Sequence, residues 1–275
     1  KIYQQSNNHS NSVTLSSLST NAERDFSETT MYNTYTAAFA ELGLSLQGDT
    51  YGNFDRRPVT VYADTLVQDL FDLKIHNLEG TAALVLNVIM AFWGHVGILL
   101  QDCKNESKDQ ATSLRSLDIA VALWVGSGQA RDENQNGYSL YNMAEVAGYR
   151  FNQDEAESLV NAEFVELVLG IRNDVLQDSC STDYGTVRKK VQALMQNANV
   201  AIVQMLIHHI QDVVENGTPS DFVEVLSLAI LPQLYACNNG DFELLVRNTV
   251  RSDMGQSTKA ATIQALQGAY SCLGI

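Results

Sequence analysis

The apolar positions of this chain form one uninterrupted block and a series of helical stripes. The block, Thr81 to Leu100, reads TAALVLNVIMAFWGHVGILL and carries no charge. Its length is about the 20 residues that a bilayer crossing takes. The flanks oppose that reading, since Glu79 precedes the block, Gln101 and Asp102 follow it, and no Lys/Arg cluster sets an orientation. Asn87 and His95 inside it would also be costly in lipid. A helix buried among other helices is apolar all round for a different reason, and that is the expectation here.

Elsewhere the apolar residues recur at the helical period. They predict helices over Met31–Leu44, Val61–Lys74, Thr112–Val125, Tyr138–Phe151, Asp154–Gln177, Tyr184–Glu215, Ser220–Tyr235, Asp241–Arg251 and Thr258–Tyr270. Ser220 and Asp221 are candidate caps behind Pro219. Residues 1–30 are rich in Ser, Asn and Thr and read as a polar N-terminal arm, with one short alternating stretch, Val13 to Leu18, that could add as a strand. The fold class expected is all-α. It is a multi-helix bundle or orthogonal domain of about ten helices over 31–275, disulfide-stabilised, with an extended arm. Leu100-Gln101-Asp102-Cys103 is echoed by Leu176-Gln177-Asp178-Ser179-Cys180, which raises the option of two related halves, about 31–110 and 111–275.

Composition narrows the class. A net charge of −15 and a pI near 4.6 repel nucleic acid and anionic membranes. Cys103, Cys180, Cys237 and Cys272 are far apart and form no CxxC pair, which argues against a zinc ribbon or redox motif. Three pairings are open, Cys103–Cys180 with Cys237–Cys272 being one. Sequons at Asn8, Asn105 and Asn216 add to the even cysteine count. Together they point to a mature chain secreted to the extracellular space, cell surface or periplasm.

Candidate chemistry is sparse. Asp132, Asn134 and Asn136 with Gly137 have the opening spacing of a calcium loop, where alternate oxygens converge on a hard cation. The twelfth position is Met143, and Glu145 comes two residues late, so a plain Asx-rich turn competes with this reading. Glu163 and Glu166 stand on adjacent turns of one helix, as do Asp154 with Glu157 and Asp221 with Glu224. Such pairs hold iron or manganese when a Glu-x-x-His joins them, but none follows, and solvated pairs are the expectation. His95 reads as a core histidine. His208 and His209 are adjacent on a helix and point to different faces, so at most one is expected in any site. No Ser-His-Asp order, nucleophile elbow or phosphate loop is visible, and an enzyme is not expected.

Several stretches resemble a family of secreted algal and protist proteins that includes the low-iron-inducible periplasmic iron-assimilation proteins. They are Gly80-Thr81 opening a helix that closes at Asp102-Cys103, Ala122 to Ser127, Leu140 to Glu145, and the terminal Tyr270-Ser271-Cys272-Leu273-Gly274-Ile275. The resemblance implies a disulfide-bonded helical domain with a part in iron uptake. It also implies acidic and Arg residues within the central helix, and Met90 to Leu100 has none. Two readings of function follow. The first is a non-enzymatic, self-assembling cell-surface subunit, forming a homo-oligomer or extracellular polymer, whose arm docks on a neighbour. The second is an extracellular metal-binding protein, for iron or calcium, using Glu163 and Glu166 or the Asp132 loop.

Overall fold

The computed structural model describes residues 80–105, 109–126, 139–151, 158–216, 221–237, 239–249 and 256–275. The predicted arm, the stretch at 13–18 and the helices over 31–44 and 61–74 lie outside the described residues. Within them the chain forms ten helices and no strand, so the domain is all-α. In order these are α1 (Gly80–Lys104), α2 (Gln110–Val125), α3 (Leu140–Arg150), α4 (Leu159–Leu176), α5 (Ser179–Thr182), α6 (Tyr184–Asn216), α7 (Asp221–Cys237), α8 (Asn239–Thr249), α9 (Gln256–Gly268) and α10 (Tyr270–Leu273).

The apolar block is α1, extended by a turn to Lys104, whose cation suits the negative end of the helix dipole. Leu86, Ile89, Met90, Phe92, Trp93, Val96, Leu99 and Leu100 are all fully buried. They cover about half of the helix circumference, Ile98 extends the buried surface to the other side, and α2, α6 and α7 pack against the helix. No described helix is long and apolar enough to cross a membrane. The second axis is α6, whose 33 residues run about 50 Å. It packs on α1, α3, α4 and α7 and so spans the whole core.

Local chemistry sets the helix ends. Asp109 caps α2, accepting from the Thr112 N–H at 2.9 Å and the Thr112 hydroxyl at 2.6 Å. The helix closes at Gly126, whose φ of 70° is open to glycine at little cost. Ser113, Ser116 and Ala120 are buried on α2, and small side chains there let it approach α1 closely. Ser139 caps α3 through the Asn142 N–H at 3.2 Å. Buried hydroxyls inside helices bond to the preceding turn, as Ser227 does to the Val223 carbonyl at 2.6 Å and Thr249 to that of Leu245 at 2.7 Å.

Three elements differ from the sequence expectation. Helix α4 begins at Leu159, whereas periodicity placed its start at Asp154; residues 152–157 lie outside the described set. The four-residue α5 is too short to show a period. It follows Asp178, which takes the left-handed conformation at φ 63° and turns the chain sharply. The last predicted helix, Thr258–Tyr270, ends at Gly268 as α9, and a further short helix, α10, begins at Tyr270 after Ala269.

Candidate functional site

The aromatic centre of the fold joins α1, α2 and α4. Trp124 stacks on Phe164 with centroids 4.2 Å apart, and Phe92 lies tilted against both. Buried indole needs a partner for its N–H, and Trp124 donates to Asn161 Oδ1 at 2.9 Å. The amide of Asn161 in turn donates to the Tyr141 carbonyl at 3.1 Å and to the Glu145 carboxylate. Glu145 also accepts from the Ser158 backbone N–H at 3.1 Å. It thereby takes the orphan donor at the start of α4, where the hydroxyl of Ser158 makes no capping bond.

Glu145, a candidate cation ligand in sequence, is thus turned inward to hold α3 against α4. Its proposed companions Asp132, Asn134 and Asn136 lie outside the described residues. Glu163 and Glu166 are both exposed on α4. Among the described residues no third His, Cys, Asp or Glu gathers with them. The Asp221 and Glu224 pair departs from the solvated expectation. Burial, then the neighbouring Asp221 charge, push Glu224 up to about 7.

The exposed face of α4 carries a feature that no single residue announces. Ala162, Val165, Leu169, Arg172 and Leu176 follow one another at alternating spacings of three and four, and all are exposed. Val165, Leu169 and Leu176 keep 47%, 54% and 51% of their surfaces in solvent. This is a coiled-coil type seam turned outward, with Glu166 beside it. Arg172 reaches Asp118 of α2 at 3.8 Å, with both side chains more than half exposed. Such a contact holds at most about 1 kcal/mol.

The histidines are distributed differently from the sequence reading. His95 is half-buried on α1, and burial pushes its pKa down to about 4. His208 and His209 were expected to serve separate faces, yet their donor atoms gather with that of Asp212, all within 4.8 Å of one another. The reason is reach. Adjacent positions diverge at Cα by about 100°, but two imidazoles can lean toward the same turn, and their ring centroids stand 5.2 Å apart. His208 Nε2 lies 3.2 Å from Asp212 Oδ2, one turn on, and His209 stacks on Phe222 of α7 at 5.0 Å. The signal in sequence was His-His-x-x-Asp, whose first and last positions share a helix face.

Cys103 and Cys180 are disulfide-bonded, joining the end of α1 to α5 across 77 residues of chain. The two echoed Leu-Gln-Asp segments are therefore covalent neighbours. Cys272 is disulfide-bonded too, while the side chain of Cys237 lies outside the described ones. Asn105 is exposed just past α1; Asn8, the rest of the Asn105 sequon and the side chain of Asn216 fall outside the described set. No family model, curated protein or solved structure matches this chain.

Proposed function

We propose that this chain is a non-catalytic, self-associating helical subunit that works outside the cytoplasm. The observation that carries the reading is the outward seam of α4, Ala162-Val165-Leu169-Arg172-Leu176. Large aliphatic side chains left in water along one helix stripe are the signature of a helix that meets another. A second copy suits the seam because it is self-complementary. In an antiparallel pairing centred on Leu169, Leu169 meets Leu169 and Ala162 meets Leu176. Glu166, three residues before the centre, then stands opposite Arg172 of the second copy, three residues after it. That contact forms twice about the two-fold axis, as an isologous interface requires. The exchange costs Arg172 only its loose contact with Asp118.

Disulfide bonding at Cys103, Cys180 and Cys272 supports an oxidising compartment. The resemblance to secreted algal proteins and the sequons agree with that placement. Docking of the arm on a neighbour remains part of the proposal from sequence alone. Light scattering after gel filtration of the full chain tests the α4 seam. The expected result is a dimer that Leu169→Glu converts to monomer. Glu166→Arg should weaken it, and adding Arg172→Glu should restore it. A wild-type monomer at tens of micromolar, or a Leu169→Glu variant of unchanged mass, would overturn the reading.

A further inference from the structure

A second site lies on α6, away from the α4 seam. We propose that His208, His209 and Asp212 bind a borderline divalent transition-metal ion of the zinc class. The donor set argues for that class. Two imidazole nitrogens and one carboxylate suit zinc, nickel or copper, whereas calcium and magnesium demand oxygen. This separates the site from the calcium and carboxylate readings of the sequence, because it uses none of their residues.

Geometry supports it at each ligand. A tetrahedral zinc holds its donors at about 2.0–2.2 Å, which brings neighbouring donor atoms roughly 3.3 Å apart. His208 Nε2 and Asp212 Oδ2 already stand 3.2 Å apart. The third atom lies within 4.8 Å of both, so a small rotation of the His209 ring completes the set. Phe222 stacks nearly parallel to that ring, at 11°, and limits how far it swings. His208 is buried, His209 and Asp212 are partly open, and a water can reach the remaining position.

His208 needs only its tautomer set with the proton on Nδ1, leaving Nε2 to the metal. Asp212 balances part of the ion's charge.

Untagged full-length protein, stripped with chelator, is titrated with Zn(II) against a chromophoric competitor, and with Co(II) followed by its visible absorption. One equivalent is expected, with a Co(II) spectrum of low-symmetry nitrogen and oxygen ligation. His208→Ala, His209→Gln and Asp212→Asn should each weaken Zn(II) by at least the roughly tenfold that even outer-sphere changes cause. Calcium at millimolar concentration should not compete. His209→Gln keeps a polar side chain at a partly open position, and circular dichroism verifies its fold before titration. A wild-type chain that binds no Zn(II) would overturn the proposal. So would a folded His209→Gln variant with unchanged affinity, or a Zn(II) equivalent that survives His208→Ala with His209→Gln.

Discussion

Trp124 and Asn161, 37 positions apart in sequence, meet through an indole N–H···Oδ1 hydrogen bond of 2.9 Å in the buried centre of the domain. Asn161 serves three partners at once, and each would be left without it if the side chain were cut back. Asn161→Ala is therefore expected to destabilise the fold by about 3–5 kcal/mol, as unsatisfied buried groups and a small void add. Urea unfolding followed by tryptophan emission measures it. Both tryptophans are fully buried, so emission should be short-wavelength when folded. Asn161→Asp should lose more stability at neutral pH than at pH 4, because a second carboxylate then faces Glu145.

Gly274 closes α10 with φ of 76°, and a Cβ there would lie 2.2 Å from Gln196 Cγ. Two costs separate cleanly. The left-handed backbone alone takes roughly 1–2 kcal/mol from any residue with a side chain. Displacing Gln196 adds to it. Gly274→Ala is expected to lower the melting temperature, and pairing it with Gln196→Ala should recover the steric part only. Full recovery in the double variant would show that the backbone conformation carries no cost.

Glu224 gives the pH dependence a sign. Its folded pKa is raised from 4.5 to about 7, so between those values the folded state binds more proton than the unfolded one. Its contribution is fully present below pH 4.5 and is lost as pH rises through 7. His95 and His209 act oppositely. Their pKa values drop from 6.5 to about 4, so the stability present above pH 6.5 is lost as pH falls toward 4. Glu224→Gln should therefore remove the loss on the alkaline side and leave the acid-side loss in place. Melting temperatures of the two proteins across pH 4–8 test this; parallel curves would refute it.

The Cys103–Cys180 bond closes a loop of 77 residues. Chain entropy assigns such a closure about 4.5 kcal/mol. Cys103→Ala with Cys180→Ala should lower the denaturation midpoint accordingly, without changing the far-ultraviolet helix signal.

The long helices were legible because their burial follows period and apolar content. Thr81 to Leu100 could be recognised as a buried helix from its flanks and from Asn87 and His95 within it, and α6 was placed to within a residue at its C-terminal end. Short elements were not legible. Helix α5 has too few residues for a period, and its start depends on Asp178 adopting a backbone angle that sequence does not dictate. Glu145 looked like a displaced cation ligand because spacing cannot say which way a side chain turns; the buried Asn161 and Ser158 decide that. The outward seam of α4 was hidden for the opposite reason. Its leucines and valine fit the helical period, and the period alone does not say which stripe the tertiary packing leaves uncovered. The His208 and His209 pairing failed on side-chain length, since Cα directions separate what two imidazoles reunite.

The covalent link between α1 and α5 has one more consequence, which concerns survival after damage. Any single backbone cut between residues 104 and 179 falls inside the ring it closes. A chain nicked there by a protease stays one molecule, and the severed α2–α4 segments remain beside their partners at a very high local concentration. Cleaved material should run as an intact band until thiol is added and then fall into two pieces. A nick inside the ring thus leaves a scar instead of a break.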